Sequence, residues 1–193
     1  MNQKTKKLAV MAMLVALSVV LVAFIHFPIF PAAPFLEYDP ADIPILIGGF
    51  AFGPLAGLLL TVIASLIQGF TVSAGSGLYG ILMHIIATGT LVLVASSIYK
   101  FKHTKGGAVI ALLCGTLAMG AVMCVANHFI TPIFMGVPTA VVDAMIPTVI
   151  LPFNLIKAGV NATITFFVYK TVSRYIIKGE AKTPKEVTAD SEA

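Results

Sequence analysis

Charge is scarce in this sequence. Only 10% of its 193 residues are Asp, Glu, Lys or Arg, and 59% are hydrophobic. Soluble domains carry about 25% charged residues, so a soluble class is excluded and a polytopic membrane protein is expected. Cysteine is scarce as well. Cys114 and Cys124 lie in one apolar stretch, where a shared helix gives them no reason to approach, so no disulfide is expected. The motifs of common enzyme classes are missing. There is no G-x-x-x-x-G-K-[ST] phosphate loop, which rules out ATP hydrolysis by that route. There is no H-E-x-x-H, G-x-S-x-G or cysteine–histidine cluster. His26, His84, His103 and His128 lack metal-ligand spacing. No catalytic residue, metal or cofactor is therefore expected, and the chain is read as a non-enzyme.

What is present is a series of long apolar runs. A membrane helix needs about 20 such residues, and the Gly, Pro and charge punctuation divides the chain into six spans: 8–27, 42–52, 55–70, 77–99, 108–133 and 146–177. The predicted class is all-α, a compact bundle of six transmembrane helices with a Pro-rich outer loop between helices 1 and 2. Residues 1–178 form the membrane domain, and the polar stretch 179–193 is expected to be a disordered cytoplasmic tail. The N-terminal lysines before an apolar run resemble a signal peptide, but no small-residue cleavage site follows, so a retained first helix is expected. Charge placement supports the count. Lys4, Lys6 and Lys7, then Lys100, Lys102 and Lys105, then Lys170, Arg174, Lys178, Lys182 and Lys185 all fall on one side of six spans. The positive-inside rule makes that side, and both termini, cytoplasmic. The opposite loops hold Glu37, Asp39, Asp42 and Asp143. Topology thus accounts for the net charge of +4, which gives no reason to expect a nucleic-acid partner.

Lys157 breaks this pattern. In "LPFNLIKAGVNATITFF" it shares a helical face with Asn154 and Asn161, about 8 Å along the helix from Pro152. A charge at depth faces a partner or a cavity. Two readings follow: a lysine that snorkels outward or pairs with Asp143, and a polar wall of an outward-facing pocket. The neighbouring amides favour the pocket. Asn127 lies at a similar depth on the fifth span and converges with Asn154 and Lys157 on a neutral, planar, polar-edged ligand. Asn161, one turn deeper, is read as a helix-packing amide.

The first outer loop, "FPIFPAAPFLEYDPADIP", holds prolines 28, 31, 34, 40 and 44 with Phe27, Phe30, Phe35 and Tyr38. Rigid connector and aromatic lid over a pocket are its two readings. "GSGLYG" matches a dinucleotide fingerprint only formally, because it opens a membrane helix and follows no strand. One turn on, His84 is placed either in the cavity or in an interhelical hydrogen bond. The sequon Asn161-Ala162-Thr163 lies inside a span and is accidental. Ala9, Ala12, Ala16 and Ala23 on the first span form a small-residue face, which the residues alone assign to packing inside the bundle.

Taken together, "FLEYDPADIP", "GGFAFGPLAGLL", "GLYGILMH" and "PFNLIKAGVN" resemble the riboflavin-specific substrate-binding (S) components of energy-coupling factor (ECF) transporters. The resemblance runs from the N-terminal lysines to about Tyr175. It implies capture of riboflavin outside a bacterial plasma membrane, followed by docking on a membrane-embedded coupling protein (T component) driven by two cytoplasmic ATPase subunits. By similarity, Asn127, Asn154 and Lys157 hydrogen-bond the polar edge of the isoalloxazine ring. The loop at Tyr38 and Asp39 covers and gates the ligand. Ala12 and Ala16 match the face that meets the coupling protein, which reverses the internal-packing assignment. His84 matches no definite family contact and stays a site candidate by position. The competing readings are an S component for another vitamin, a self-sufficient proton-coupled permease and an intramembrane enzyme. A permease more often shows repeated halves and a midplane carboxylate relay, and an enzyme needs a nucleophile–base pair or metal set.

Overall fold

The structure is a computed structural model and describes residues 2–31 and 33–172. Its order is α1 (Gln3–Phe24), β1 (Phe27–Pro28), β2 (Glu37–Tyr38), α2 (Asp42–Phe52), α3 (Pro54–Phe70), a 3-10 turn (Ala74–Ser76), α4 (Gly77–Phe101), α5 (Lys105–Met135), α6 (Thr139–Met145), a π-helical turn (Ile146–Ile150) and α7 (Leu151–Val172). Among the described residues, four helical stretches are long and apolar enough to cross a membrane: Gln3–Phe24, Ala74–Phe101, Lys105–Met135 and Thr139–Val172. Helices α2 and α3 are shorter, at 11 and 17 residues. The expected tail, 179–193, lies outside the described residues.

Lys7 Nζ lies over the Phe52 ring at 5.5 Å, and Phe50 packs on Tyr99 and Tyr169, the neighbours of Lys100 and Lys170, so these lysine-bearing segments share one end of the bundle. Helix α2 is buried from Asp42 to Phe50. Its sequence is apolar on every side, the composition of a helix with no solvent or lipid face, and it packs against α1, α3, α4 and α7. Gly53, at φ +94°, turns the chain between α2 and α3, and Pro54 starts the next helix, where its missing N–H costs nothing. Close packing of this pair depends on small residues. A Cβ on Gly57 would lie 2.6 Å from Val92 Cγ2 and 3.0 Å from the Gly49 Cα. At the basic end, Phe50 stacks on Tyr99 at 4.3 Å and meets Tyr169 edge-on at 5.4 Å, tying α2 to α4 and α7.

One expectation changes. The last span, expected as one helix from 146, begins with α6 at Thr139 and passes through a π turn into α7. Pro147 sits at the start of that turn and has no N–H to donate, so the ladder is locally rewound. The alanine face of α1 does not pack in the bundle. Met11, Leu14, Val15, Ser18 and Val22 face inward, while Ala9, Ala12, Ala16 and Ala23 are exposed on the other side. The two cysteines are free, as expected.

Replacing Gly57 by valine overpacks the α2–α3–α4 contact. The expected result is a loss of about 1–3 kcal/mol, read as a lower thermal midpoint in detergent.

Candidate ligand-binding site

A cavity of about 160 Å³ opens among α3, α4, α5 and α7 near the acidic end. Helix α5 supplies Met119, Met123 and Asn127, and α7 supplies Phe153, Asn154 and Lys157. Helix α3 supplies Ser65 and Gln68, α4 supplies Tyr79 and His84, and Phe35, Leu36 and Asp39 of the α1–α2 loop close the top. The walls are mainly apolar and carry a few placed polar groups, the usual make-up of a small-molecule site.

The placement of Asn154 and Lys157 follows from helical spacing, and both are buried with Asn127. Asn127 Nδ2 donates to the Met123 carbonyl at 2.8 Å, and Asn127 Oδ1 accepts from Thr131 Oγ1 at 2.8 Å. Asn154 Nδ2 donates to the Ile150 carbonyl at 2.8 Å. Each amide nitrogen carries two N–H groups, so each amide is oriented by its own helix and keeps a donor for the cavity.

The partner of Lys157 is Asp39. Lys157 Nζ donates to Asp39 Oδ2 at 2.6 Å, with both residues buried. Neither the snorkelling alternative nor the pairing with Asp143 holds: Asp143 meets His128 at 2.5 Å on the surface. Burial pushes the Asp39 carboxyl up. The Lys157 ammonium beside it, with His84 and the Ala41 N–H, outweighs this and holds it below the usual carboxylate range.

Asp39 is carried by a loop fastened at several points. Phe27 and Pro28 pair antiparallel with Tyr38 and Glu37, a short ribbon that the proline-rich sequence did not suggest. The Ala41 N–H donates to Asp39 Oδ1 at 3.0 Å, and Ser18 Oγ of α1 donates to the Ala41 carbonyl at 3.0 Å. Asn161 is more than a packing amide. Its Nδ2 donates to the Asp39 carbonyl at 3.0 Å and to Asp42 Oδ2 at 2.9 Å, and its Oδ1 accepts from the Tyr38 hydroxyl at 3.0 Å. Tyr38, expected over the ligand, therefore does not border the cavity. Its hydroxyl is drawn to Asn161, and burial, with Asp39 and Asp42, raises its pKa.

The network continues into α3 and α4. Thr88 Oγ1 donates to Asp42 Oδ1 at 2.6 Å. Ser65 gives its proton to the Thr61 carbonyl at 2.6 Å and lies 2.7 Å from His84 Nδ1. The other ring nitrogen, Nε2, lies 3.4 Å from Thr88 Oγ1, so His84 bridges α3 and the Thr88–Asp42 pair. Both positions considered for His84 hold, since it borders the cavity and bonds another helix. Ala12 and Ala16 take no part in the site.

The residues missed from sequence are Asp42, taken as a loop acid, and Gln68, the lone amide in "TVIASLIQGF". The rule that drew attention to Lys157, a polar group in an apolar span, would have found Gln68. Nothing local pairs Asp39 with Lys157, which stand 118 residues apart.

Comparisons with known proteins find relatives over most of the chain. The family described as "ECF transporter, substrate-specific component" matches residues 6–169. The chain belongs to that family. A relative called riboflavin transporter FmnP, from Bacillus subtilis (strain 168), is 34% identical over 174 residues, covering 84% of this chain and 89% of its own. A riboflavin transporter RibU from Staphylococcus aureus (strain TCH60) is 29% identical over 180 residues, covering 90% of this chain and 94% of its own. A solved structure, described as the S component of a bacterial ECF transporter, superposes with a TM-score of 0.79 at 30% identity, covering 89% of this chain and 98% of that one.

Because Asp39 titrates below its unfolded value, its contribution to stability is present above the unfolded pKa and is lost as pH falls through the folded one. The expected stability gap between wild type and Asp39→Asn is therefore constant from about pH 8 to 5 and shrinks below about pH 4. Thermal melts across that range check it, and a gap that closes near neutrality would contradict the buried pair.

Proposed function

We propose that this S component captures riboflavin at the acidic end of the bundle and delivers it across a bacterial plasma membrane. The observation that carries the reading is the convergence of Asn127, Asn154 and Lys157 on one cavity closed by a loop through Asp39. Riboflavin is neutral, with a flat apolar body and a pyrimidine-like edge of acceptors and an N–H donor. Lys157 has three N–H donors and gives one to Asp39, so donors remain for a ring carbonyl while the loop stays closed. Asn127 and Asn154 supply both donor and acceptor for the rest of that edge. Lys157 is the only Lys or Arg among the described lining residues, and Asp39 neutralises it, which suits an uncharged ligand.

The cavity is smaller than the roughly 300–1,000 Å³ of drug-sized ligand sites. Flavin entry therefore requires the walls or the loop to yield. The α1–α2 loop hangs on a few discrete bonds, at Asp39, Tyr38 and Ala41, and is the gate in this reading.

In the bilayer all six hydrophobic segments are embedded, with the short α2 interior and the short α3 facing lipid through Leu55, Leu59 and Phe70. The lysine-bearing end is cytoplasmic by the positive-inside rule, which puts both termini inside and the acidic loop outside. Energy comes from other chains: the exposed alanine face of α1 docks on a membrane coupling protein, the T component, served by two cytoplasmic ATPases. Small residues at 12 and 16 allow close helix approach, and their exposure supports this use.

Titration of riboflavin fluorescence with the purified protein tests the substrate. Quenching at stoichiometric protein is expected, and Asn154→Ala should weaken binding about tenfold, the effect of a lost buried hydrogen bond. Binding of a different vitamin instead would reject riboflavin. Ala12→Leu or Ala16→Leu should leave that titration unchanged and lower riboflavin uptake by cells several-fold; normal uptake would remove the docking face.

A further inference from the structure

Gln68 stands in the last turn of α3, 4% exposed, and borders the cavity. Its Nε2 has no hydrogen-bond partner among the described residues. Its backbone carbonyl accepts from the Thr71 and Ser73 N–H groups at 3.1 and 2.9 Å, so the residue is held at the end of the helix while its amide is left unmet. Buried polar donors are almost always satisfied, and an unmet one facing a cavity points to a ligand group that meets it.

The position says which group. Helix α3 packs on α1, α2 and α4, whereas Asn127, Asn154 and Lys157 stand on α5 and α7, which pack on each other, so Gln68 borders the cavity from a different wall. Ser65, Ser73 and Ser76 border the cavity beside it, giving this wall hydroxyls and an amide with no Lys, Arg, Asp or Glu. We propose that Gln68 contacts the polyhydroxyl chain of the bound flavin and selects flavins that carry it. This rests on the riboflavin reading given above. If the α5–α7 wall takes the polar edge of the ring, the ring's dimethylbenzene end has no acceptor to offer Gln68. The hydroxyls of the chain both accept and donate, and so match an amide.

The test pairs two ligands: riboflavin, and lumiflavin, the same ring with a methyl group in place of the chain. Gln68→Leu and Gln68→Met keep the side-chain bulk and remove the amide. Each is expected to weaken riboflavin binding about tenfold and to leave lumiflavin binding within about twofold, measured by fluorescence titration. The thermal midpoint of the unliganded protein should stay level or rise, because an unmet buried donor is gone; a packing role would lower it. Equal weakening of both ligands, or unchanged riboflavin affinity in both variants, overturns the role of Gln68. Failure of the wild type to bind either ligand would overturn the riboflavin reading itself, and this inference with it.

Discussion

A lysine inside an apolar bundle needs an anion within reach, and this fold meets that requirement from a distant part of the chain. Asp39 lies in the loop after α1, yet its carboxylate sits 2.6 Å from Lys157 Nζ of α7. Removing one partner of such a buried pair typically costs about 3–5 kcal/mol, because the other charge is left uncompensated. The loop must therefore fold inward over the end of the bundle. The two-residue ribbon, the Tyr38–Asn161 bond and the Ser18–Ala41 bond all hold it in that position. The loop that neutralises the lysine also lines the cavity.

That coupling gives the site its character. Lys157 borders the cavity and also holds its cover, so a ligand that takes the remaining ammonium donors acts on the group that fastens the loop. Asn161 extends the link, since one amide bonds the Asp39 carbonyl, Asp42 and Tyr38. Thr88 and His84 carry the connection to α4 and α3. The far face of α1 is isolated from all this. Its alanines are exposed because Leu14, Val15 and Val22 occupy the inward stripe of the same helix. The exposed alanine face and the cavity thus lie on separate parts of one bundle.

Much of this was legible in the sequence. The starts of α2 and α4 were placed correctly by their punctuation, and Asn127, Asn154 and Lys157 were singled out because polar groups in apolar helices are costly and need a reason. The last span was misread because Pro147 was taken as the first turn of a helix that in fact begins at Thr139 and is rewound at the proline. Tyr38 was read as part of a covering loop from its aromatic neighbours, and the bond from its hydroxyl to Asn161 carried no sign in the sequence. Asn161 itself was underrated, since an amide one turn deeper carries no local sign that three groups of another segment converge on it.

The sequence by itself determined the apolar class, the division into helices, the segregation of basic turns from acidic loops, and which face of α7 is polar. These follow from hydropathy, charge and the helical repeat, all of which act over a few turns of chain. Only the tertiary structure decided that Asp39, and not Asp143, neutralises Lys157, that α2 is buried from Asp42 to Phe50, and that Gln68 and Asn154 line one cavity. The reason is physical. Pairing across 118 residues is chosen by which partner best removes a buried charge, and that choice depends on how every helix between them packs.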